Sequence, residues 1–159
     1  MITAKIDTAG VGDRLNALAG KVRASAAQAV QANTQQLLER VQDKLSGEVL
    51  NVRSGALLRS IVETGLNIDT AGVGDSVASD GSAAYAHIQE YGGRVNIPEI
   101  VPRSAKALTF DYGGKLVFAR HVAAHSVDIP QRSFLRSSLA EQAQSFADDI
   151  RRIAAGDFP

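Results

Sequence analysis

The chain has 159 residues, is 45% apolar, carries 17 basic and 17 acidic residues, and has no cysteine. That length suits one domain with a real core, the missing cysteines exclude disulfides and thiolate metal sites, and the balance of charge does not suggest the strongly positive domain that binds nucleic acid. The charges nevertheless come in blocks, eight basic against five acidic in 1–60, one against six in 61–100, six against two in 101–140 and two against four in 141–159, an alternation that suits one copy docking on another.

"MITAKI" reads as a short strand, with Ile2, Ala4 and Ile6 alternating against Thr3 and Lys5. The octet "IDTAGVGD" follows at Ile6–Asp13 and recurs at Ile68–Asp75. A dinucleotide-binding turn would place a third glycine three residues after the second, and here Leu15 and Val77 stand there. A phosphate-cradling loop would end in Gly-Lys-Ser/Thr, whereas both copies end in Gly-Asp, whose carboxylate repels phosphate. The octet is therefore expected to be a chain reversal beside a strand.

From Asp13, read as an N-cap, Leu15, Leu18, Val22, Ala26, Ala29, Val30, Leu37, Val41 and Leu45 recur at helical spacing. The expected helix, bent near Asn33 and Thr34, would be roughly 50 Å long, more than one small core covers. Part of its apolar stripe is accordingly expected to project to a neighbouring subunit, with Leu15, Leu18 and Val22 as candidate contacts. Ser54 is expected to cap a short helix bearing Leu57, Leu58 and Ile61, followed by strands near 61–68 and 73–79 joined by the second octet. "SAAYAHIQEYGG" reads as a short helix stopped by Gly92 and Gly93. Residues 94–106, with Pro98 and Pro102, are expected to be a mobile loop. "ALTFDYGGKLVFARHV" is the clearest hairpin, turning at Asp111 to Gly114. A last helix is expected from Ser133 to Ala155, with Leu135, Leu139, Phe146, Ile150 and Ile153 on one face and Gly156 after its end. The whole reads as a single α+β domain over 1–159: a long helix at 13–46, a small, mostly antiparallel sheet with short helices, and a C-terminal helix packed on the sheet. Lys115 and Arg120, in the basic block opposite the acidic 61–100, are further candidate subunit contacts.

Chemistry-bearing motifs are few. His121 and His125 lack the Glu that a zinc protease places directly after its first His, Val122 standing there instead. On a strand they would stand about 13 Å apart, too far to share a metal. No Gly-x-Ser-x-Gly elbow and no Asp-x-Asp-x-Asp-Gly calcium loop occurs. Catalytic residues, cofactors and metals are thus not expected, and a small hydrolase using His121 and His125 is the weakest reading. No apolar run approaches the ~20 residues that cross a bilayer, and no signal-peptide pattern follows Met1, so a soluble, cytoplasmically made product without a membrane partner is expected.

Three phrases in order, "VRSGALLRSI" (52–61), "YAHIQEYGG" (85–93) and "IPQRSFLRSSL" (129–139), resemble the neck or tail-completion proteins of long-tailed bacteriophages, a head–tail joining family also known as virion-morphogenesis or minor tail proteins. The resemblance falls on Ser54, Gly55, Leu57 and Ser60, on Tyr85, Ala86, Glu90 and Gly92, and on Pro130, Arg132, Phe134 and Leu135. It implies a non-enzymatic virion protein that forms a homo-oligomeric ring at the neck. Its partners would be the head connector or adaptor and the tail terminator or tube, with DNA only as passing cargo. A tail-terminator ring capping the tube is the nearest alternative. The residues read as structural: Tyr85 and Ile88 anchoring a short helix, Gly92 capping it, Glu90 and Arg132 placed to pair, and Phe134 and Leu135 entering the core.

Overall fold

The computed structural model describes residues 10–103 and 105–158. The "MITAKI" strand and residues 6–9 of the first octet lie outside them. The chain is α+β, with a long N-terminal helix, small antiparallel sheets and a C-terminal helix. It divides into two compact units, one formed by Met1–Ala86 with Ser133–Pro159 and the other by His87–Arg132.

In the first unit, α1 (Val11–Asp43) starts from Gly10, whose φ of 78° is a left-handed conformation that glycine adopts freely. Asp13, expected as the N-cap, sits within the first turn, where its carboxylate still faces the positive end of the helix dipole. The helix runs unbroken through Asn33 and Thr34. These polar residues serve docking: the Asn33 side chain donates to the Ala29 carbonyl at 2.9 Å and to Asp149 Oδ2 at 3.0 Å, and Thr34 is buried. A wide helical turn, Lys44–Glu48, ends the helix at Gly47 (φ 140°). Next, α2 (Ala56–Ser60) opens on Gly55 (φ 70°), with Ser54 Oγ accepting from the Ala56 amide at 3.3 Å.

The next strands form one interrupted ribbon. β1 (Ile61–Glu63) pairs antiparallel with β4 (Val77–Ser79), and β2 (Asn67–Ile68) with β3 (Val73–Gly74). Glu63 faces Val77 while Asn67 faces Gly74, and the Thr64 amide donates to the Ser76 carbonyl at 2.8 Å. Gly65 and Leu66 therefore oppose Asp75 alone, which is a β-bulge, and Gly65 has the positive φ (92°) that such a bulge asks of its first residue. The second octet forms the tip: Asp69 Oδ1 accepts from the amides of Ala71 at 2.8 Å and Gly72 at 3.0 Å. In the first copy, the same Val-Gly-Asp is already helical. The Gly-Val-Gly-Asp that is described in both copies has no conformation of its own; its flanks decide it.

The C-terminal helix, α4 (Leu135–Ala154), ends in a Schellman motif: the Gly156 amide donates to the Ile153 carbonyl and the Asp157 amide to the Arg152 carbonyl, both at 3.0 Å. It lies along α1. The core between these elements is Val41, Leu45, Leu57, Ile61, Ala83, Ala86 and Phe134.

The second unit contains most of α3 (Ala86–Tyr91) and two further antiparallel pairs. β5 (Gly93–Ile97) pairs with β8 (His125–Ile129), and β6 (Leu108–Tyr112) with β7 (Lys115–Ala119). The span expected as a loop therefore begins with a strand, and Ile100 bridges Val122 beyond it. The prolines that suggested a loop follow the strand, and its partner comes some thirty residues later in the chain, out of reach of local patterning. Gly92 is required where α3 turns into β5: its φ is 69°, and a Cβ there would stand 2.7 Å from the Gln131 nitrogen and 2.9 Å from the Ile129 oxygen.

Phe134 is fully buried at the centre of the first unit. Phe134→Ala is expected to lower unfolding stability by about 3–5 kcal/mol, measured by denaturant titration; a loss below about 1 kcal/mol would contradict the assigned core.

Candidate functional site

Side-chain pairs along α1 and α4 fix the helices antiparallel. Asn33 meets Asp149, Arg40 Nε meets Glu141 Oε2 at 2.8 Å, and Lys44 Nζ meets Ser137 Oγ at 2.8 Å and Glu141 Oε1 at 2.6 Å. Lys44 is only 2% exposed, so its ammonium depends on those two oxygens. In return, Lys44 first and Arg40 second hold the Glu141 carboxyl below the usual carboxylate range. Asn33, then Arg152, does the same for Asp149.

This register has a geometric consequence. Continuing it at one residue per residue, the end of α4 falls opposite roughly residue 28 of α1, so about 25 Å of α1 extends past it. The tip of the ribbon meets that extension at Arg23, whose guanidinium donates to the Asp69 carbonyl. Every described residue before Arg23, from Gly10 on, is exposed. Val11, Leu15, Leu18 and Val22 lie there at spacings of four, three and four, the seam of a helix that packs on another helix. Leu15 is 61% and Leu18 48% exposed. The seam continues into an open groove of about 600 Å³ whose other walls include Val73 of β3 and Phe146 and Ile150 of α4. Phe146, Ile150 and Leu139 were expected on a packed face; all three are exposed. The sequence reading missed this because periodicity shows which face is apolar, not whether anything covers it.

The motif residues fall in several places. Leu57 is buried in the core, and Ser60 is fully buried, donating to the Leu57 carbonyl at 2.8 Å and accepting from Ser79 Oγ at 3.3 Å. That phrase ties α2 to β4. In the second phrase, Ala86 and Glu90 are buried and Tyr85 is exposed. The small Ala83 and Ala86 fill the inward positions, not the tyrosine expected to anchor the helix. In the third, Phe134 is buried, Leu135 packs beside the core, and Pro130 and Arg132 are exposed, the Arg132 amide donating to the Gln89 carbonyl at 2.9 Å.

Lys115 and Arg120 are exposed, and neither enters an ion pair among the described residues. By contrast, Arg94 and Asp128 pair across β5 and β8 at 2.8 Å, joining the one base of the acidic block to an acid of the basic block. His121 and His125 are exposed, and the described residues contain no group of three His, Cys, Asp or Glu placed for a metal. No helix among them is long and apolar enough to cross a membrane.

The sequence profile of a family described as HK97-gp10-like, a bacteriophage HK97-gp10 tail component, matches residues 9–92, more than half of the chain. No curated protein and no solved structure matches. The matched span holds the first phrase and all but the last residue of the second, together with α1 and the ribbon.

The ribbon and the clamp respond oppositely to acid. A hydrogen bond with Asp75, then partial burial, raises the Glu63 carboxyl above its ordinary value, so folding favours its neutral form, and its contribution is lost as pH rises through the raised value. Glu141 and Asp149 are lowered, so their contribution is lost as pH falls. Glu63→Gln is therefore expected to raise the melting temperature at pH 7 and to change it little well below the carboxylate range. Equal effects at both pH values would contradict this.

Proposed function

The chain belongs to the HK97-gp10-like family of bacteriophage tail components, and from that premise we propose that it is a structural virion protein forming a homo-oligomeric ring at the phage neck, which joins the DNA-filled head to the tail. The observation that carries assembly is the uncovered α1 seam. Four large apolar side chains on one helix face, continuous with a groove walled by a second helix, form a patch of the kind that marks interaction sites on soluble proteins. A neighbouring copy covers Leu15, Leu18 and Val22. The ring contact is heterologous, one surface of a subunit meeting a different surface of the next, which closes by rotation. The action is mechanical: the ring fixes a head connector to a tail terminator or tube, and DNA passes through it as cargo.

The phage phenotype tests the position in the particle. Particles made without this chain are expected to accumulate as filled heads and finished tails that join when purified protein is added. Tails of uncontrolled length would instead assign the chain to the cap that terminates the tube.

Solution behaviour tests the surface. Light scattering is expected to show concentration-dependent self-association, and Leu15→Ser with Leu18→Ser to reduce it by at least about tenfold in affinity, since two large apolar side chains leave the contact. The monomer's melting temperature should hardly move, because both residues are exposed already. A compact monomer at every concentration would contradict the reading.

A further inference from the structure

The β6–β7 hairpin is a two-stranded sheet among the described residues, with no third strand on either edge. Across the pair, Phe110 stands opposite Val117, and Tyr112 opposite Lys115, on one face. Leu116 and Phe118 lie on the other, opposite Asp111 and Thr109. Tyr112 is 81%, Leu116 68% and Phe118 67% exposed. A surface sheet ordinarily packs one face and wets the other, and an isolated two-stranded hairpin is marginal in water. This one presents apolar side chains on both faces. Around it the charges are nearly all of one sign: within 101–127, Arg103, Lys106, Lys115 and Arg120 stand against Asp111 alone.

The complementary surface is on the same chain. No lysine or arginine occurs between Arg59 and Arg94, while Glu63, Asp69, Asp75, Asp80 and Glu90 do. Within that stretch the β1–β4 and β2–β3 ribbon exposes Val62, Leu66 and Ile68. Asp69 is held below the usual range first by the Ala71 amide and then by the Gly72 amide, and Asp80 by Ser82, so both stay charged at neutral pH.

We propose that the β6–β7 hairpin is an arm that docks on the β1–β4 and β2–β3 ribbon of a second copy of this chain, its apolar faces and its basic residues meeting Val62, Leu66, Ile68, Asp69 and Asp80. This names the second contact of the ring, and it rests on the ring reading. Because arm and ribbon are different surfaces, each copy donates one and receives the other, and the chain of contacts closes in a ring. The attraction steers encounter and sets register, and salt weakens it.

The absence of cysteine makes the test direct. Leu116→Cys and Ile68→Cys are placed in separately tagged full-length chains, mixed at assembling concentration and treated with a short thiol cross-linker. The expected product joins the two differently tagged chains, and neither variant alone cross-links. Adding Lys115→Glu with Arg120→Glu to the first chain should lower the yield roughly tenfold, and Asp80→Lys in the second should restore part of it. Circular dichroism and melting of each variant alone confirm that it folds. If the chains assemble by light scattering but the mixed pair gives no cross-link, or charge reversal leaves the yield unchanged, the arm is refuted while the ring stands. A wild-type chain that stays monomeric refutes both. If charge reversal abolishes retention on duplex DNA and no cross-link forms, the arm is a nucleic-acid contact and the proposal falls.

Discussion

The offset between α1 and α4 is the constraint from which the rest follows. Three contacts set it: Asn33 to Asp149, Arg40 to Glu141, and the nearly buried Lys44 to Glu141 and Ser137. A buried ammonium is costly unless its hydrogen bonds are met, so Lys44 restricts where α4 can lie. With that register, Phe134 enters the core at the start of α4, while α1 extends past the other end. A helix long enough to be covered and a partner too short to cover it give a monomer with an unfinished face.

The ribbon completes part of that face and leaves the remainder. Its bulge at Gly65 and Leu66 shifts the pairing by one residue, which a bulge couples to a local bend and stronger twist, and its tip reaches α1 at Arg23. The groove that remains, walled by Leu15, Leu18, Val22, Val73, Phe146 and Ile150, is apolar and open. In the proposed ring, this is the face that a neighbouring copy covers. The second unit likewise carries a two-stranded hairpin whose large apolar residues Tyr112, Leu116 and Phe118 are exposed.

Much of this was legible in the sequence where the signal is local. The 3.6-residue periodicity of α1 and α4 gave both helices within three residues of their observed ends, and alternation about Gly113 and Gly114 gave the β6–β7 hairpin. That α1 is too long for one core followed from its rise per residue. β5 was not legible, because a strand of two exposed faces needs its partner to be recognised. The Lys44 clamp was not legible either: 97 residues separate Lys44 from Glu141, and nothing near either one announces the pair. The motif residues divide in the same way. Gly92 shows its purpose only beside the backbone of Ile129 and Gln131, and Tyr85, large and aromatic, stays outside while two alanines pack.

The central claim is that the first turns of α1 are an interface. Hydrogen–deuterium exchange does not report on side-chain cover, so the direct measurement is a cryo-electron microscopy map of assembled particles at side-chain resolution. The account predicts protein density from a neighbouring copy within van der Waals contact of Leu15, Leu18 and Val22. A map in which this chain is present and those three side chains face solvent would contradict it.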